Sequence, residues 1–199
     1  MNPLHHGPQD TTALFVHIRT LVGMIVGLGL THLLRNFAGI MERPKRQKVY
    51  GTHLAWVLFV FLYMLHFWWW QFRLSRLETW NFNVYFFITL YALLLYLLCA
   101  LVFPESSDDY PSYREYFYSR RHWFFALLAT VYAVDLVDTW IKGADYFRGL
   151  GPEYLARNSL HILLCLVAIV VRSSMFHAIF AITALVYQIS WITRQFEFL

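Results

Sequence analysis

The chain has 199 residues, of which 59% are apolar, 20% aromatic and only 14% charged, with Lys+Arg 16 against Asp+Glu 12. Soluble domains carry about 25% charged residues, so this composition argues against a soluble enzyme, a nucleic-acid module or a disordered regulator. The formal charge of +4 is too small and too scattered to line a nucleic-acid groove, and no nucleic-acid partner is expected.

Several apolar runs instead reach the roughly 20 residues that cross a bilayer core of about 30 Å. Met1 to Thr12 lack the basic start, short apolar core and small-residue cleavage site of a secretory signal, so the first run is expected to be retained. Membrane helices are predicted at about Leu14 to Ile40, His53 to Phe72, Phe82 to Phe103, Trp123 to Ile141, Tyr154 to Val171 and Met175 to Thr193. Breakers separate them: Pro44, the Asn81 region, Pro104 to Asp109, Gly149 to Pro152, and Arg172-Ser173-Ser174. The expected fold is an all-α, six-transmembrane-helix bundle forming a single integral membrane domain over 1–199.

In the first run, Arg19 lies near the start, while His32, Arg35 and Asn36 share one face at i, i+3, i+4 and form a candidate inner mouth. Gly23 and Gly27, extended by Thr20 and Thr31, make a small-xxx-small step that permits close helix contact, within the bundle or at a subunit seam. In the second run, His53 and His66 are 13 residues apart, which invites comparison with haem b axial ligands. On an ideal helix they point about 140° apart, no second run repeats the interval, and no cofactor is expected. Trp68-Trp69-Trp70, Trp80, Trp123 and Trp140 cluster at helix ends, as interfacial anchors do.

Between the third and fourth runs, Tyr110 to Arg121 mixes tyrosines, Phe117 and arginines in the pattern of a short interfacial amphipathic helix. Its Arg114, Arg120 and Arg121 are candidate contacts for anionic lipid or for a membrane or cytoplasmic protein partner. The fourth run carries the only acids within any run: Asp135 and Asp138, with Lys142 four residues on, all on one stripe. The fifth starts on the same side with Arg157, Asn158 and His161. Ionisable groups are costly in hydrocarbon and normally face protein or water. Asp135, Asp138, Arg157 and His161 therefore form the candidate transport cluster, readable either as a buried Arg–Asp bridge or as a hydrated vestibule that binds a cation or relays a proton.

The basic residues of loops one, three and five are Arg43, Lys45, Arg46, Lys48, Arg114, Arg120, Arg121 and Arg172, against Arg73, Arg76, Lys142, Arg148 and Arg194 on the other side. Basic loops are retained in the cytoplasm, so both termini are expected outside. Cys99 and Cys165 sit inside apolar runs, as small hydrophobes do. No H-E-x-x-H, C-x-x-C or G-x-S-x-G pattern occurs, so neither a metal site nor a catalytic residue is expected; His5-His6 is a trivial pair. The two halves of three helices show no convincing repeat and no run is broken by a central Pro or Gly pair, unlike many secondary transporters.

The stretch Phe67-Trp68-Trp69-Trp70 and the run from Tyr116 to Phe125 resemble features of uncharacterised small six-helix bacterial inner-membrane proteins. That resemblance implies an inner-membrane, multi-pass placement and no particular activity. Two functions remain open on the residues. One is a membrane transport protein, an oligomeric ion or proton channel or transporter. The other is a non-catalytic membrane subunit or sensor acting through a protein partner.

Overall fold

A computed structural model describes residues 8–42, 48–77, 80–105 and 109–196. Its helices are α1 (Pro8–Glu42), α2 (Gly51–Trp70), α3 (Phe82–Val102), α4 (Tyr113–Ile141), α5 (Ala144–Gly149), α6 (Gly151–Val170) and α7 (Ser174–Phe196), with a 3₁₀ turn over Gln71–Arg76 after α2. Six of them, all but α5, are long and apolar enough to cross a membrane, the hallmark of a multi-pass membrane protein. Arg43, Lys45, Arg46, Pro44, His5, His6 and Asp108 lie outside the described residues.

Because consecutive spans reverse direction, the start of α1, the residues 71–77 after α2, the segment 142–150 and the end of α7 share one face of the bundle, here called the terminal face. Residues 48–50, 103–105, 109–112 and 171–173 share the opposite face. In the bundle α1 packs on α3 and α2, α3 on α4, α4 on α6, and α7 on α2. The central element is α2, whose Trp56, Phe59, Val60, Tyr63 and Met64 are buried. The outward-facing large side chains are apolar, among them Leu28, Leu90, Leu97, Leu163 and Ile182, which suits lipid as the surrounding solvent.

Local chemistry sets the helix ends. Asn81 Oδ1 accepts from Val84 N at 2.9 Å and Ser112 Oγ from Glu115 N at 3.3 Å, each satisfying an orphan N–H of a first turn. Gly143 (φ +126°) ends α4 and Gly151 (φ +72°) turns α5 into α6, both in backbone regions that favour glycine. At the opposite face, two histidines cap helix C-termini whose carbonyls have no intrahelical partner. His53 Nε2 donates to Val102 O of α3 at 2.7 Å, and His177 Nε2 to Val171 O after α6 at 2.9 Å. Each histidine is buried against aromatic rings, His53 stacked on Tyr113 and His177 on Phe125.

Three expectations about the elements change. The segment from Tyr113 to Arg121 is not a separate short helix: it forms the first turns of α4, because nothing between the Ser112 cap and Ile141 breaks the helix. At 1.5 Å per residue, those 29 residues exceed an apolar core of about 30 Å by about two and a half turns. The second span ends at Trp70 and continues as a 3₁₀ turn rather than as α-helix to Phe72. The short α5 was not legible, since six residues are too few for a periodic signal.

Candidate functional site in the terminal half of the bundle

The polar side chains of α4 and α6 meet where α4 ends and α6 begins. Asp135 Oδ1 accepts from Tyr91 Oη of α3 at 3.0 Å, while Oδ2 accepts from Tyr154 Oη at 2.8 Å and Asn158 Nδ2 at 3.0 Å, both on α6. All three donors are neutral. Since Tyr91 spends its one hydrogen on the carboxylate, Tyr63 Oη, 3.3 Å away, is the donor to Tyr91. Likewise Thr139 Oγ1 donates to Tyr154 Oη at 2.7 Å.

Asp138 is paired with Lys142 at 2.5 Å, and both side chains are closed off from solvent. The pair is buried where α5 packs on this end of α4. Asp138 Oδ1 makes no hydrogen bond, and neither do Asn158 Oδ1, Arg157 Nε or the amide atoms of Gln71, all buried. Buried polar groups are normally satisfied by protein or water, and these five atoms are exceptions.

Arg157 does not bridge to Asp135. Its Nη2 donates to Gln188 Oε1 of α7 at 2.8 Å, and the guanidinium lies 5.0 Å from the Trp191 ring centre and 5.7 Å from that of Tyr132. Among the described residues no carboxylate comes within ion-pair distance of it. Gln188 connects it to α2: with Oε1 facing the arginine, Nε2 donates to His66 Nδ1 at 3.3 Å. His66 is therefore the Nε2–H tautomer. His161 Nδ1 donates to Arg157 O at 2.8 Å, its ring 4.7 Å from that of Tyr132.

Between these groups lies a cavity of about 10 Å³ lined by Asp135, Arg157, His66, Tyr91, Tyr154 and Trp191, among others, large enough for about one water molecule. Towards the opposite face the bundle is plugged. Trp56 fills its centre, with the rings of Phe59, Phe124, Phe125 and Phe180 at 5.3, 5.3, 5.4 and 5.1 Å. On the terminal side, Tyr146 of α5 packs on Trp70 and under Arg73, 4.7 Å from the tyrosine ring centre. Burial pushes the Tyr146 phenol well above its usual range, against the opposing pull of Arg73.

The four residues of the expected cluster, Asp135, Asp138, Arg157 and His161, thus fall in one region, with Asp135 and Arg157 held in separate hydrogen-bond sets. The inner-mouth residues lie elsewhere: Asn36 Nδ2 donates to His32 O at 2.8 Å, both half-buried, and Arg35 is exposed. Gly23 meets Trp68, whereas the space beside Gly27 is open. Arg114 and Arg120 are exposed and Arg121 is buried. Tyr63, His66, Tyr91, Tyr132, Tyr154 and Gln188 were missed, since a hydroxyl, imidazole or amide in an apolar run carries no signal of its partner. Among the described residues, no group of three or more His, Cys, Asp or Glu side chains is arranged to hold a metal ion.

Comparison with protein-family models, with curated proteins and with solved structures finds no match to this chain.

Proposed function

We propose that this is a membrane transport protein whose proton- or cation-binding site is the Asp135 network. The observation that supports it is a carboxylate at membrane depth held by three neutral donors and no cation. An intramembrane acid is a functional residue by default, because hydrocarbon penalises its charge. The network also tolerates protonation. With a proton on Oδ1, Asp135 donates to Tyr91, Tyr91 turns to donate to Tyr63, and Oδ2 keeps its bonds from Tyr154 and Asn158, so each of these pairs stays bonded and only the Tyr63 hydrogen must turn away. Arg157, held by Gln188 and the two aromatic rings, supplies a fixed positive charge that opposes a second cation.

The aromatic plug around Trp56 closes the way to the opposite face, so passage needs the rings to part. A carrier that alternates access fits this better than a standing pore through one chain. The excess of basic residues in the opposite loops supports a terminal face that lies outside.

The test is ion and proton flux in proteoliposomes. Asp135→Asn keeps the size and most bonds of the side chain, so the protein is expected to assemble with flux reduced at least tenfold and its pH dependence gone, while Asp135→Glu retains part of both. Unchanged flux in an assembled Asp135→Asn protein contradicts the proposal. The second reading, a subunit working through a partner, draws on Arg120 and Trp123, exposed one turn apart on α4. There, Asp135→Asn is silent and Arg120→Gln uncouples the partner.

A further inference from the structure

At the opposite face, far from Asp135, the segment before α2, the first turns of α4 and the α6–α7 turn enclose an open basin of about 780 Å³. It is built, not incidental: Tyr113 N donates to Lys48 O at 3.3 Å, pinning the strand-like residues 48–50 against the start of α4. Among the described residues four cations line it, Lys48, Arg114, Arg121 and Arg172, with Glu115 as the one acid. None of the four has a carboxylate within ion-pair distance among the described residues.

Arg121 marks the basin as a site. The residue is 4% exposed, so its charge has been taken from bulk water. Its Nη1 reaches Tyr118 O at 3.3 Å, and Nη2 reaches Ile169 O at 3.4 Å and His122 Nε2 at 3.1 Å. Those acceptors are neutral and Nε has no partner. A buried guanidinium with an unspent Nε–H, among three further cations, lacks only an anion, and a charged N–H donor suits a phosphate oxygen. The volume falls within the roughly 300–1,000 Å³ of small-ligand sites. Beside the basin, Val170 and Met175 flank Arg172 at 78% and 71% exposure, an apolar rim where acyl chains can lie.

We infer that this basin binds a phosphate group through Lys48, Arg114, Arg121 and Arg172, and the apolar rim favours that of an anionic phospholipid in the adjoining leaflet. The inference is independent of the Asp135 reading. Arg120 lies outside the basin on the same helix and serves as control.

The experiment measures binding of phosphatidylglycerol and phosphatidylcholine to the purified full chain in detergent, by native mass spectrometry, with inorganic phosphate as competitor. The wild type is expected to prefer phosphatidylglycerol at least tenfold. Arg172→Gln with Lys48→Gln, both at the rim and tolerant of change, should reduce that preference to less than threefold, and Arg120→Gln should leave it intact. Displacement of the lipid by millimolar phosphate assigns the site to phosphate alone, and persistence assigns it to headgroup and chains together; both uphold phosphate binding. Equal binding of the two lipids, or an equal loss with Arg120→Gln, overturns the inference, since general surface charge then explains the attraction. Arg121→Lys keeps the charge but not the Nε–H donor, and a preference weakened several-fold in that folded variant separates recognition from charge.

Discussion

Asp135 and Asp138 sit one turn apart on α4 yet are solved differently. Asp138 has a cation, Lys142, and the pair is buried; removing one partner leaves the other charge stranded, at a cost of about 3–5 kcal/mol. Lys142→Met is thus expected to lower thermal stability in detergent sharply, and adding Asp138→Asn to recover a substantial part, a coupling that a double-mutant cycle measures. Asp135, bonded to hydroxyls and an amide, loses little when neutralised, so Asp135→Asn should leave the melting temperature nearly unchanged. Tyr146 gives a pH test. Its folded-state pKa is raised, so folding favours the neutral phenol: its contribution is complete below about pH 10 and is lost as pH rises towards the folded value. A melting temperature that falls above pH 10, with a shallower fall in Tyr146→Phe, is the expected outcome.

The helices were legible to the extent that lipid dictates them. Apolar length placed all six spans, and the cost of charge in hydrocarbon singled out Asp135, Asp138, Arg157 and His161. The partners were not legible, because whether Arg157 meets Asp135 or Gln188 depends on helix rotation that no local pattern encodes. The same applies to α1, where the sequence offers Gly23 and Gly27 as one step but the fold uses only the first. A Cβ on Gly23 would lie 2.7 Å from Trp68 Cη2, whereas one on Gly27 meets nothing within 4 Å. Gly23→Val should therefore cost about 1–3 kcal/mol by overpacking and Gly27→Val almost nothing, measured as unfolding of the detergent-solubilised chain; a large loss at Gly27 would locate a subunit seam there. Capping is equally specific. His53→Leu strands the Val102 carbonyl, at about 1–3 kcal/mol, and should speed hydrogen exchange at the end of α3 while leaving α6 protected.

Across the whole molecule, polarity is divided by depth. The terminal half holds Asp135, Asp138, the hydroxyls of Tyr63, Tyr91 and Tyr154, and Arg157. Beyond them towards the opposite face, aromatic rings pack edge-to-face around Trp56, and the opposite face itself carries the histidine caps and the basic basin. A bundle built only for strength would gain nothing from unpaired polar atoms in its terminal half, where Asp138 Oδ1, Asn158 Oδ1 and Arg157 Nε stand unbonded. Glu153 and Arg194 tie α6 to α7 at the rim by two bonds of 2.9 and 2.6 Å, so opening need not separate these helices there. The most direct measurement of the transport account is labelling of a single cysteine at Asn158, in a chain whose Cys99 and Cys165 are replaced, by membrane-impermeant thiol reagents applied to each side of sealed proteoliposomes. The account predicts reaction from the terminal face and slower reaction from the opposite face as the Trp56 plug parts. A residue silent from both faces in a folded protein would contradict it and leave the cluster as dry scaffolding.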